Sequence, residues 1–286
     1  MSESRRVPVR SWRDPSYEGC VPQRAVRPES GVTGMDSIAT ELPVAFSYNR
    51  VAHVVMMATP RDLEDFAVGF SITEGLVGCV GDIESVRSIP RPEGIELALT
   101  IGEDWFDRLA TQRRNMAGRT GCGLCGAENI EQALRTPGVV GHKLQVSHEA
   151  LQKAVLDLER HQPLQAQTGA SHGAAWCSPD GNILEVREDV GRHNALDKLI
   201  GSLCRNGRDP SAGFVLVSSR ASYEMVFKAA AAGMELIMAV SAPTTLAVEF
   251  AERSGVTLAG FARPGRHNVY TFPERIEEWG SFDAGK

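Results

Sequence analysis

The chain has 286 residues, 42% of them hydrophobic and 23% charged, and a formal net charge of −6 at neutral pH. Such a chain can bury a sizeable core, and its acidic balance argues against a general nucleic-acid-binding surface. Its six cysteines, at 20, 79, 122, 125, 177 and 204, include one close pair, too sparse for the disulfide framework of a secreted domain.

Residues 1–38 read as a disordered tail. Ser4-Arg5-Arg6 superficially suggests a twin-arginine export signal, but prolines and arginines follow where that signal needs an apolar core. No run approaches the ~18 consecutive apolar residues of a membrane span. The expectation is a cytoplasmic protein with neither membrane nor nucleic-acid partners. Residues 39–110 read as a small α+β domain. Residues 42–47 and 51–57 alternate as two strands joined in a hairpin at Tyr48-Asn49-Arg50. Thr59-Pro60 then signals a helix, with Thr59 as N-cap, Pro60 in the first helical position and Asp62, Glu64 and Asp65 near the positive dipole end. Leu63, Phe66, Ala67 and Phe70 give it an apolar stripe. Two more strands follow near 84–89 and 95–101, around the turn Arg91-Pro92-Glu93-Gly94.

Residues 111–129 read as a mobile, basic, glycine-rich loop holding Gly121-Cys122-Gly123-Leu124-Cys125-Gly126. A Cys-x-x-Cys pair supports three chemistries. A metal site would need further ligands, and His142 and His148 complete a finger-like spacing, but they do not fall on one helix. A redox dithiol needs a strand-to-helix junction, whereas glycines bracket this pair. A mobile nucleophilic thiol fits the upstream Arg108, Arg113, Arg114 and Arg119, because positive surroundings favour the thiolate. The residues alone leave redox cycling open beside it.

Residues 130–275 read as an α/β domain. Ser147 is the candidate N-cap of a helix near 148–160. From 183 the chain alternates strand 183–188, helix 192–204, strand 213–219, helix 222–232, strand 235–241, helix 244–254 and strand 256–261, with a last strand near 268–272. That rhythm predicts a largely parallel sheet with helices on its faces. Ligands of such sheets sit beyond the carboxyl ends of the strands. There the sequence sets Glu188 to Asn194, then Arg220 to Glu224, Pro243 to Thr245, and Arg263 to Asn268. Arg192-His193-Asn194 and Arg266-His267-Asn268 thus converge on one polar, basic rim. Residues 276–286 read as a second tail.

Taken in order, Asp62 to Phe70, Gly121 to Gly126, Glu188 to Ala195 and Phe261 to Arg266 resemble the formate dehydrogenase accessory sulfurtransferases, the FdhD family. The likeness spans about residues 40–272. It implies a sulfurtransferase that accepts sulfur from a cysteine desulfurase as a persulfide. The sulfur would pass to the molybdenum of a Mo-bis(molybdopterin guanine dinucleotide) cofactor destined for formate dehydrogenase. By the same resemblance Cys122 carries the persulfide, Cys125 assists, and Phe261, Ala262, Arg263, Pro264, Gly265 and Arg266 contact the nucleotide. Arg192 and His193 are expected either to bind the cofactor as well or to cap and pack the following helix, and no metal is expected to be permanently bound. The resemblance further implies a homodimer and a cytidine deaminase-like three-layer fold. Deaminase chemistry is not implied, since His172-Gly173-Ala174 lacks the glutamate of His-x-Glu. The carry-over is physically sensible: Arg263 and Arg266 offer forks suited to pyrophosphate, and Pro264-Gly265 lets backbone amides approach closely. Ala170 departs from the family, which commonly has a second glycine there. The rival reading is a non-catalytic chaperone of the same cofactor, and a third is a zinc-stabilised regulatory module.

Overall fold

The computed structural model describes residues 20–27, 32–116 and 138–277, with side chains given for residues 20, 36–111 and 138–277. Two sheets organise them. In the first, β3 (Leu42–Tyr48) and β4 (Val51–Ala58) form the expected hairpin. β6 (Gly94–Ile101) runs parallel to β3, and β5 (Ile83–Arg91) closes the far edge, giving the order β4-β3-β6-β5. Asn49 and Arg50 both take positive φ, 48° and 69°, as a two-residue hairpin turn matched to strand twist demands. Asn49 holds that turn by bonding the Ile101 backbone in both directions, at 2.9 and 3.0 Å. Alternation along β6 buries Ile95, Leu97, Leu99 and Ile101. Helix α1 (Leu63–Thr73) lays Phe66 and Phe70 against Phe46, with ring centroids 5.0 and 4.6 Å away. Leu109 of α2 (Glu103–Met116) joins the same core.

Several expectations are corrected here. Thr59 does not cap α1; the helix begins at Leu63 behind a left-handed Asp62 with φ 51°, because Thr59 is held elsewhere by a tertiary partner described below. Residues 111–116 continue α2, so the expected boundary at 110/111 falls inside a helix. Within the expected tail, β1 (Cys20–Arg27) and β2 (Val32–Ala39) pair antiparallel. Neither strand has the strict alternation that marks a half-buried strand in a sequence. Its support is tertiary, as when Cys20 Sγ bonds Gln167 Oε1 at 3.2 Å on α4 (Pro163–Thr168).

The second sheet has six strands: β8 (His172–Cys177), β9 (Ile183–Asp189), β10 (Phe214–Val217), β11 (Leu236–Ala239), β12 (Thr257–Arg263) and β13 (Arg266–Val269), in the order β13-β12-β11-β10-β8-β9. Helices α5 (Arg192–Arg205), α6 (Tyr223–Ala231) and α7 (Thr245–Ser254) share one core with Val215, Val217, Ile237, Ala239 and Leu258. Helix α3 (His148–Asp157) shares the opposite core with Phe214, Leu216, Leu236, Met238 and Ala259. The period of two along these strands thus builds three layers. Ser147 caps α3 as read, its Oγ accepting from Ala150 N at 3.1 Å. The sheet is mixed rather than largely parallel. β10, β11 and β12 run parallel, β13 folds back on β12, and β8 enters antiparallel between β9 and β10. The hidden strand is β8, whose HGAAWC of small residues carries little β-propensity. Beyond the sheet, β14 (Ile276–Glu277) pairs with β7 (Val146–Ser147), so the chain is ordered two residues into the expected C-terminal tail, and the rest of that tail lies outside the described residues. Ala170 carries no strain, since the left-handed position is Gly169, φ 65°. Among the described residues no helix is long and apolar enough to cross a membrane.

The two sheets are joined helix to helix. α1 crosses α5 so closely that a Cβ on Gly69 would lie 1.7 Å from the Asp197 carbonyl oxygen, and one on Gly201 would lie 1.8 Å from that of Asp65. Backbone cannot yield as a side-chain tip can. Gly69→Ala and Gly201→Ala are each expected to cost roughly 1–3 kcal/mol or more by overpacking. Urea denaturation checks this, and midpoints unchanged from wild type would refute the crossing.

Candidate functional site

Because β8 runs against its neighbours, its first residue stands at the same sheet edge as the last residues of β9, β10, β11 and β12. The register pairs His172 with Asp189. Asp189 and Lys198 of α5 are both fully buried, with Lys198 Nζ 2.6 Å from Asp189 Oδ2. Burial holds the Lys198 ammonium below its ordinary pKa, against the pull of Asp189. The remaining carboxylate lone pairs are satisfied. Asp189 Oδ2 also accepts from Thr59 N (2.9 Å), and Oδ1 accepts from Gly191 N (2.8 Å) and Asn194 Nδ2 (2.9 Å). Lys198 donates to Thr59 O (2.8 Å), Val190 N to Thr59 Oγ1 (3.1 Å) and Asn194 Nδ2 to Met57 O (2.8 Å). This network sets where α5 begins.

Two long helices then start side by side with no side-chain cap: α5 behind Gly191 and α6 behind Ser222. Uncapped N-termini leave amide donors and positive dipole ends facing the rim. Ser222 Oγ and Arg192 Nε are buried there without a hydrogen-bond partner. Buried orphans of this kind ask for a partner that the described residues do not supply, and both atoms can donate to an anion. His193 Nε2 sits 2.7 Å from Glu224 Oε2, joining the two helix starts. Its hydrogen bond holds the Glu224 carboxyl below the ordinary value, more than burial raises it, with further help from the charges of His193, Lys228 and Arg192. His172 is kept from protonation chiefly by burial, then by Arg192 and His193. Arg220 is exposed beside them. A negative charge placed here would be welcomed from several directions.

Farther along the rim the loops are stitched to one another. Ser241 N donates to Ser219 O (3.3 Å), Thr244 N to Ala221 O (3.1 Å) and Phe261 N to Ser241 O (3.1 Å). Phe261, 45% exposed, takes φ 52° in an irregular stretch of β12, an uncommon conformation for an aromatic residue. Ala262 turns into the core. Pro264 and Gly265, the latter at φ 78°, then reverse the chain between Arg263 and Arg266. The sequence expects both arginines to present forks. Arg263 is instead partly engaged, its Nη1 donating to the carbonyls of Val240 and Ala262. Arg266 is exposed and makes no ion pair among the described residues.

The structure therefore gathers Arg192 and His193 at one end of the rim and Phe261 to Arg266 at the other. Strands β8, β10 and β11 lie between, roughly 19 Å at ~4.8 Å per strand spacing. Cys122 and Cys125 lie outside the described residues. His142 and His148, weighed above as zinc ligands, face different partners: His142 Nδ1 lies 2.6 Å from Arg275 Nη2 and His148 Nδ1 2.8 Å from His267 Nε2. Sequence reasoning missed His172 as a rim residue because it missed β8, and it missed the Asp189–Lys198 pair altogether.

Comparisons with known proteins place this architecture among relatives. A sequence model of the FdhD/NarQ family matches residues 39–277. A protein of Cupriavidus necator named sulfur carrier protein FdhD is 52% identical over 85% of this chain and 84% of its own length. One of the same name from Xanthomonas euvesicatoria is 51% identical over 89% of this chain and 92% of its own. The crystal structure of a protein from Desulfotalea psychrophila, described as a formate dehydrogenase accessory protein, superposes with a TM-score of 0.68 at 26% identity, covering 90% of this chain and 98% of its own.

Lys198→Met strands a buried carboxylate and is expected to cost about 3–5 kcal/mol, with Asp189→Asn/Lys198→Met costing less than the sum of the single changes; urea unfolding of all four proteins tests this. Acid should also weaken the fold. His172 is lowered mainly by burial, and His267 is lowered to about 4 by burial and His148. The unfolded chain binds those protons near pH ~6.5, so stability declines as pH falls from there towards about 4. His172→Gln/His267→Gln should flatten the dependence of urea midpoint on pH between 7 and 5. An unchanged slope would contradict the assignment.

Proposed function

This chain belongs to the FdhD/NarQ family, and on that footing we propose that it is a sulfur carrier serving formate dehydrogenase. The observation that carries the site assignment is the rim, with its two uncapped helix starts, the orphaned donors of Ser222 and Arg192, and the exposed cations Arg220 and Arg266. Such donors suit the pyrophosphate of a nucleotide-bearing ligand. The acceptor is then the Mo-bis(molybdopterin guanine dinucleotide) cofactor, bound as substrate. Arg192 and His193 would face one part of it, and Phe261, Ala262, Arg263, Pro264, Gly265 and Arg266 another, with the exposed Phe261 available to a base.

In the sulfur-loading step, the Cys122 thiolate attacks the terminal sulfur of a persulfide on a cysteine desulfurase. A new S–S bond forms to Cys122, the donor's S–S bond breaks, and the donor cysteine leaves as thiolate. The upstream arginines favour the attacking thiolate. Cys125 assists release of the carried sulfur by exchange, and the protein acts as a homodimer. The mixed three-layer sheet supports the cytidine deaminase-like kinship, with sulfur transfer in place of deamination.

With a cysteine desulfurase and cysteine present, wild-type protein should gain one sulfur atom on Cys122 by intact mass. Cys122→Ala should gain none there, and should lose formate dehydrogenase activity to background in cells lacking the native chain while still binding GDP. Full complementation by Cys122→Ala/Cys125→Ala would instead establish the chaperone reading.

A further inference from the structure

The turn that carries Arg266 is anchored from beneath. Gly265 sits at the tip of the β12–β13 hairpin, where a backbone N–H has no strand partner and ordinarily faces water. Here it donates to Gln152 Oε1 at 2.7 Å, and Gln152, on α3, is 9% exposed. The other end of the same amide meets His267 Nδ1 at 2.8 Å, and His267 Nε2 lies 2.8 Å from His148 Nδ1. His148 and Gln152 are four residues apart, on one face of α3.

These contacts fix proton positions by elimination. A backbone N–H can only donate, so Gln152 accepts with Oε1 and offers Nε2–H to the imidazole. His267 Nδ1 must therefore be bare, which places its proton on Nε2 and makes His148 Nδ1 the acceptor. The chain of donors runs one way, from Gly265 through Gln152 and His267 to His148. A second proton on His267 would set N–H against N–H at Gln152.

We propose that Gln152 and His267 are positioning residues: their one-way hydrogen-bond chain pins the Arg263–Arg266 turn from the α3 side and so presents Arg266 to an anionic ligand. The ligand part of this inference rests on the nucleotide-binding reading above; the anchoring part does not. The tether from Arg263 to Val240 O holds the same turn from the β11 side, so the turn is fastened twice although its surface is open. His148 on α3 faces the His267 ring and accepts at Nδ1 while the chain is intact, and Arg263 and Arg266 are the charged groups of the turn itself. Burial first, and then the repulsion between the two imidazoles once both are charged, lowers the His267 pKa to about 4, which keeps the chain intact at neutral pH.

The test uses full-length protein, GDP as probe, and two variants. Gln152→Leu removes both bonds. Gln152→Glu keeps the acceptor for Gly265 and invites a proton onto His267 Nδ1. Long-range ¹H–¹⁵N spectra should show wild-type His267 protonated at Nε2 alone at pH 7, and protonated on both nitrogens in Gln152→Glu. Exchange of the Gly265 amide should be slow in wild type and Gln152→Glu and fast in Gln152→Leu. Calorimetry should give GDP binding about tenfold weaker in Gln152→Leu, the worth of roughly one hydrogen bond, and largely restored in Gln152→Glu. An Nδ1–H tautomer in wild type, or equally fast Gly265 exchange in all three proteins, overturns the anchoring. GDP binding within twofold of wild type in a folded Gln152→Leu overturns its role in ligand presentation. Absence of GDP binding in wild type removes the nucleotide reading, and tautomer and exchange then decide the anchoring by themselves.

Discussion

The pairing of Asp189 with Lys198 puts a carboxylate and an ammonium where water does not reach, and each loses hydration worth several kcal/mol. Such a pair persists only where its surroundings complete the hydrogen bonding, and here those surroundings are the architecture. One carboxylate oxygen faces Thr59 at the end of the first sheet; the other faces Gly191 and Asn194, where α5 begins. A single side chain thereby fixes the seat of the N-terminal unit and the direction in which the α5 amides point. The rim inherits both.

A second polar joint repeats the logic at the preceding residue of α5, Asp197. Lys228 of α6 reaches Asp197 at 3.0 Å, Glu74 at 2.9 Å and Thr73 at 3.0 Å. Burial opposes its charge, but Asp197 and Glu74 outweigh burial and hold its pKa above the ordinary lysine value. Buried ion pairs contribute little net stability compared with well-packed apolar groups, and their better-attested use is to select one arrangement among several. Two of them here select one seating of α1 against α5 and α6.

Elements that carry their own signals were legible from sequence. α7 has a threonine cap that accepts from Ala247 N at 3.3 Å and a left-handed Gly255 behind it, and β10 and β11 are short, fully buried apolar runs. Elements defined by their neighbours were not. β8 is a strand because β9 and β10 bond it on both sides, whatever its small residues prefer. Thr59-Pro60 looks like a helix start until Asp189, 130 residues away, takes the threonine amide. At the site, the clusters Arg192-His193 and Arg263 to Arg266 could be found because alternating strands and helices bring their loops to one edge. Lys198 could not, because a lysine nine residues after an aspartate looks like surface charge until the fold buries both. The reading of the cysteine pair rests on sequence and kinship.

The glycine crossing of α1 and α5 also bears on motion. Hinged enzymes open at a few residues that absorb a large change in backbone angle, and sheared ones slide along helices whose side chains act as bearings. Gly69 and Gly201 put backbone against backbone, and the flanking ion pairs would have to break before either helix could slide. The two sheets are thereby locked into one packed body, and the loops of the rim rest on a frame that neither helix can shift by sliding.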